Sequence, residues 1–193
     1  VLTDDEVSRI VRELPESMVG ILTVALHTAL RQANIRLMEW AWIRWSEGLI
    51  VVPAASHKNR KQHVAVMTPT VRKLLEGRKK SGKVVSIEAA RYVFLHRGGR
   101  PYTKDSASQA FRRAAERAGV ENATFHDLKH TCLTRMAALG ASEWDVMFAA
   151  GHSDTRMTAR YTHPTMERRR EVAARMDRHQ IVTTALEAAG NGA

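Results

Sequence analysis

Only two stretches of this chain read as β-strand: GLIVVP, from Gly48 to Pro53, and HVAVM, from His63 to Met67. The run between them, AASHKNRKQ, is too polar for a core, so the pair reads as one hairpin with a basic loop. A single hairpin is too little sheet to frame a domain of 193 residues, so the rest has to pack as helices.

The punctuation agrees. TDDEVSRIVREL opens on a capping box, Thr3 with Glu6, and Pro15 breaks the helix that follows. A largely apolar helix is expected from about Glu16 to Leu30, then a short one in QANIRLMEW. Pro69 starts another amphipathic helix. SASQAFRRAAERAG ends at Gly119, HDLKHTCLTRMAALG at Gly140, and SEWDVMFAAG begins on Ser142 as N-cap. A last helix is expected from Thr165 into the tail. The expectation is an α+β fold, mostly α-helical with a small antiparallel β-sheet, free of internal repeats or a domain-splitting linker.

Charge narrows the function. Residues 1–28 carry a net −3, residues 29–113 a net +13, and residues 114–193 balance. A concentrated basic excess is the footprint of a polyanion-binding face and makes nucleic acid the favoured partner. No run approaches eighteen consecutive apolar residues, which excludes a membrane-spanning helix. Cys132 is the single cysteine, which excludes an internal disulfide and suits a reducing cytoplasm. The chain opens on VLTDDE without methionine and reads as a piece of a longer protein.

One tyrosine asks for a reason. Tyr161 lies in GHSDTRMTARYTH, among arginines and threonines and nine residues after His152. A phenol with a pKa of about 10 is phenolate in roughly one molecule per thousand at neutral pH. As a nucleophile toward phosphorus it needs a base for its proton and cations for the transition-state charge. A DNA phosphodiester also needs an acid to protonate its alkoxide leaving group. Arg31, Lys58, the pair His126 and Lys129 three apart on one helical face, and His152 supply such groups. No metal or other cofactor is called for if side chains carry the charge.

Taken in order, TALR with Trp40 nine residues on, Lys58 in a β-hairpin, HDLK, and AAGHSDTRMTARY resemble the catalytic domain of the tyrosine recombinases, the phage-integrase family. The resemblance runs from LTDDEV to about Pro164, which gives a catalytic domain over residues 1–164 and a tail over 165–193. It implies that Tyr161 attacks the scissile phosphate to form a 3′-phosphotyrosyl link, while Arg31 and Lys129 clamp the non-bridging oxygens. Lys58 would protonate the leaving 5′-oxygen, His126 would move the tyrosine proton, and His152 would hydrogen-bond the phosphate. It also implies a homotetramer on double-stranded DNA with attachment-type sites, monomeric when alone, in a prokaryotic cytoplasm. A DNA-bending or directionality protein is a further partner in that picture. The family's separate core-binding domain has no counterpart in these residues, and Ile181, Val182, Ala185 and Leu186 of the tail are expected to dock between protomers.

Two positions depart from the pattern. Asn34 stands where many members have glutamate, and Lys129 where the usual residue is arginine, whose planar fork grips two phosphate oxygens at once. The second departure keeps a rival open, a recombinase-like module that holds DNA without cutting it; a type IB topoisomerase is the nearer rival. Arg60 and Lys61 share the loop of Lys58 and compete for its role. With Arg97, Arg100 and Lys104 they are candidate phosphate contacts, solvated surface charge being the plain alternative. His126 and His130 have the spacing of a zinc pair but lack the glutamate of H-E-x-x-H. Trp40, Trp42, Trp45 and Trp144 read as core or half-buried residues.

Overall fold

The computed structural model describes residues 1–56, 61–80, 90–96, 99–151, 170, 171, 173, 174 and 176. Its helices are α1 (Asp4–Glu13), α2 (Glu16–Thr28), α3 (Gln32–Arg36), α4 (Pro69–Lys80), α5 (Lys104–Arg117), α6 (Phe125–Ala138) and α7 (Glu143–Ala150). Its strands are β1 (Ile43–Arg44), β2 (Leu49–Val52) and β3 (His63–Val66).

Helix α2 is the axis. After Glu16 it carries no formal charge, so no face of it favours water. Every residue from Met18 to Thr28 is buried, and α3, α4, α5 and α6 pack around it. Gly20 allows the tightest of these approaches: a Cβ there would stand 2.9 Å from the Phe94 ring and 3.4 Å from the Arg78 guanidinium. The guanidinium in turn lies 4.9 Å from the centroid of that ring. Helix α1 begins on the expected Thr3–Glu6 capping box and lies against α5. Asp4 is paired with Arg135 of α6, and Thr131 Oγ1 accepts the Leu2 amide at 2.9 Å. The N-terminus is thereby tied to the helix that carries His126 and Lys129.

The expected hairpin is present, with Leu49 opposite Val66 and Val52 opposite His63. A third strand was not legible in the sequence: Ile43 and Arg44 pair with Ile50 and Leu49, giving an antiparallel β1-β2-β3 sheet. Two residues carry no periodicity, so β1 could not be told from the WAWIRW run around it. Trp42 is buried and Trp40 and Trp45 pack on the core from outside, as expected of them.

Among the described residues, three helix starts have Ser or Thr capping boxes besides that of α1, namely Thr103 with Ser106, Thr124 with Asp127, and Ser142 with Asp145. The first makes α5 begin two residues earlier than the SASQAF run suggests. One large apolar cluster runs from Leu2 through α2 to Leu128, and a smaller one joins Ala29, Cys132, Met136 and Met176. Met176 belongs to the charged stretch MERRREVAARM, yet it and Ala173 are buried against the domain. Ile181, Val182, Ala185 and Leu186 lie outside the described residues. No helix among the described residues is long and apolar enough to cross a membrane.

Candidate active site

Arg31 owes its position to a sharp reversal. Helix α2 ends at Thr28, and Ala29 turns the chain in the left-handed region at φ 53°, ψ 17°. A side chain there costs about 1 kcal/mol, so this position would suit glycine better than the alanine present. Buried Leu30 anchors the turn, and Arg31 becomes the N-cap of α3. Asn34, one turn on, is buried, and its Nδ2 has no acceptor among the described residues.

Lys129 reaches the same place from α6. The Thr124–Asp127 box fixes the start of that helix, so His126 and Lys129 project from its first turns on one side. Lys129 is only 7% exposed, and its Nζ donates to the Ala150 carbonyl at 2.7 Å. Arg31 Nη2 donates to the next carbonyl, that of Gly151, at 3.4 Å. Both acceptors belong to the C-terminus of α7, where carbonyls lack helical partners and the helix dipole is negative. Gly151 closes that helix at φ 63°, ψ 35°, a conformation that suits glycine. The end of α7 is therefore the bracket that aligns two cations. His63 of β3 stacks on Phe148 of α7 with ring centroids 6.3 Å apart, which joins the hairpin to that bracket.

Burial pushes the Lys129 ammonium down to about 8, and the Arg31 charge beside it pushes the same way. His126 also lies below the ordinary imidazole value, first through partial burial, then through the His130 ring and the charges of Lys129 and Arg31. The two imidazoles meet edge to face with centroids 4.7 Å apart. A neutral His126 can accept a proton at pH 7, and a protonated Lys129 can hold an anionic oxygen.

Arg31, His126 and Lys129 thus line one cavity of about 630 Å³. Lys104 is on its wall as well, whereas Lys61 and Arg100 are exposed elsewhere. Lys58, Arg60, Arg97, His152 and Tyr161 lie outside the described residues. Gln32, Arg36, Ser108 and Arg112 also line the cavity and were not singled out from the sequence. The only available signal was spacing: Gln32 with Arg36, and Lys104 with Ser108 and Arg112, recur at four-residue intervals.

Residues 1–168 match the model of the phage integrase family. The chain belongs to the phage integrase family. Family relatives include the shufflon-specific DNA recombinase of Escherichia coli, 29% identical over 157 residues, 81% of this chain and 37% of the relative. The integrase of Salmonella phage P22 is 27% identical over 186 residues, 91% of this chain and 46% of the relative. The chain therefore spans less than half the length of either. A crystal structure of a lambda integrase dimer bound to a COC′ core site, residues 75–356, has the same fold, with a TM-score of 0.65. That match has 20% sequence identity and covers 81% of this chain and 58% of the other. The mostly helical phage-integrase fold with its small antiparallel sheet is the architecture expected from the sequence. Residues 170–176, including buried Met176, lie beyond the matched span.

Proposed function

We propose that this chain is the catalytic part of a site-specific DNA recombinase of the integrase type, which cuts and rejoins DNA through a 3′-phosphotyrosyl intermediate. One observation carries the reading: Arg31, His126 and Lys129, separated by up to 98 positions in sequence, converge on one cavity beside the backbone of Gly151. The chain enters His152 directly from that point and reaches Tyr161 nine residues later.

In this mechanism Arg31 and Lys129 hold the non-bridging oxygens of the scissile phosphate and stabilise the charge that builds on them. Tyr161 Oη attacks phosphorus and its proton passes to His126. The bond from phosphorus to the 5′-oxygen breaks as Lys58 donates a proton to that oxygen. One phosphodiester has been exchanged for another, so the step needs no external energy, and the 5′-hydroxyl of a partner strand reverses it to complete the exchange. The working assembly is proposed to be a homotetramer on paired attachment-type sites of double-stranded DNA, with accessory DNA-bending or directionality proteins as further partners. The names and organisms of the relatives support a mobile-element or phage setting inside a prokaryotic cell.

The second reading, a module that binds DNA without cutting it, is favoured by Lys129, a point charge already bonded to a backbone carbonyl. A duplex nicked so that the cleaved strand diffuses away separates the two. The recombinase accumulates a covalent protein–DNA adduct on it. Retention of the duplex with no adduct would establish the binding module instead.

A further inference from the structure

The cavity holds more positive charge than one phosphate needs. Its described lining contains five cations and no carboxylate: besides Arg31 and Lys129 there are Arg36, Lys104 and Arg112. These three form a separate group. Gln32 and Arg36 lie one turn apart on α3, and Lys104, Ser108 and Arg112 succeed one another by single turns on α5. The two stripes are stitched together where Gln32 Nε2 donates to Ser108 Oγ at 3.1 Å. Arg112 is 3.4 Å from Glu116 in a solvent-exposed pair, which water and salt weaken.

Arg36 is held, but not satisfied. Its Nη1 donates to the Tyr102 carbonyl at 3.0 Å, fixing the guanidinium against the start of α5. Its Nε is buried and has no acceptor among the described residues. That Nε is enclosed, so what the guanidinium offers the cavity it lines is its positive charge, which an anionic oxygen there offsets. Arg36 lies five positions after Arg31, an axial rise of about 7.5 Å along a helix, and both side chains line the same cavity. A rise of that order is comparable with the step between successive phosphates of one strand.

We propose that Arg36, with Lys104 and Arg112 at the rim and the Gln32–Ser108 pair as floor, seats the DNA phosphodiester next to the scissile one on the same strand. The identity of the ligand rests on the recombinase reading above. The seat explains why a cavity built around one reacting phosphate extends along α3: gripping the neighbouring phosphate fixes the strand in line for attack. Its contribution is to position rather than to react.

The test uses the full chain and a duplex substrate in which one flanking phosphate at a time is replaced by an uncharged methylphosphonate. Equilibrium binding and, on the nicked duplex, adduct formation are both measured. With the native chain, one flanking replacement should weaken binding on the order of tenfold. Arg36→Met should lose a similar factor on unmodified DNA yet be indifferent to that same replacement, and Arg36→Lys should recover most of the loss. The slope of log affinity against log salt should fall by about one for Arg36→Met. Because Arg36 also braces Tyr102, Arg112→Met serves as a second variant without that bracing role and should show a weaker form of the same position-specific coupling.

Losses in Arg36→Met that add to every methylphosphonate alike, with an unchanged salt slope, would overturn the seat and leave Arg36 a structural residue. Binding with intact coupling but no adduct from the native chain would uphold the seat and refute the recombinase reading. Adduct formation without coupling would do the reverse.

Discussion

Lys129 is the residue on which the chemistry is most exposed to pH. An arginine in its place stays charged at any attainable pH, whereas this amine is depressed to about 8 by burial and by Arg31. The depression means that the charged form is favoured less in the folded site than in water, so deprotonation removes the proposed phosphate clamp as pH rises through about 8. His126 acts in the opposite sense: its lowered pKa keeps it neutral at pH 7, and it stops accepting protons only below its ordinary value of 6.5. Single-turnover adduct formation at subsaturating DNA, which reports the free protein, should therefore fall on the alkaline side near pH 8, with its acid limb below 6.5. Lys129→Arg should abolish the fall near 8 and maintain or raise the rate at pH 7. A loss of tenfold or more in that variant, over about 1 kcal/mol of transition-state stabilisation, would show that the pocket is shaped around lysine. Arg31, His126 and Lys129 were legible from sequence because each sits in a short motif of fixed spacing. Arg36 was not, because its significance depends on α3 facing α5, and nothing in the local sequence of either helix encodes that juxtaposition.

Helix α2 and the C-terminal residues show two ways in which elements are fixed to the site. At Gly20, alanine would gain about 1 kcal/mol of helix propensity, but its methyl would meet the buried Phe94 ring at 2.9 Å. Overpacking a closed core typically costs 1–3 kcal/mol, so Gly20→Ala should lower stability in urea unfolding. A variant more stable than the native chain would mean that the ring has room to move. Met176 is 4% exposed in the cluster with Ala29, Cys132 and Met136, directly behind the turn that presents Arg31. Met176→Ala should cost roughly 2 kcal/mol or more and lower the thermal midpoint. An unchanged midpoint would show that these residues do not hold the domain in solution. The helices themselves were readable from capping boxes, glycine stops and the proline at 15. Strand β1 and the burial of Met176 were not, since a two-residue strand lacks a pattern and MERRREVAARM presents itself as a solvated face.

Across the molecule, the basic excess read from residues 29–113 acquires a location: Arg31, Arg36, Lys104 and Arg112 come from that span and share one cavity. Acidic residues of α1 are spent elsewhere, with Asp4 on Arg135 and Glu13 on Arg117. Fold class was legible because one hairpin among capped helices leaves few alternatives, and family membership because the motifs recur in order. In sequence, Gly151 leads to Tyr161, the proposed nucleophile, and that assignment is tested by chemistry. The decisive experiment incubates the chain and its Tyr161→Phe variant with the nicked duplex, measures equilibrium affinity in parallel, and maps the DNA-linked peptide by mass spectrometry. Loss of the phenolic oxygen alone should abolish the adduct while leaving affinity nearly unchanged, and the native adduct should map to the peptide containing Tyr161. An adduct that persists in the Phe variant, or that maps to another residue, would contradict the assignment of the nucleophile and with it the mechanism.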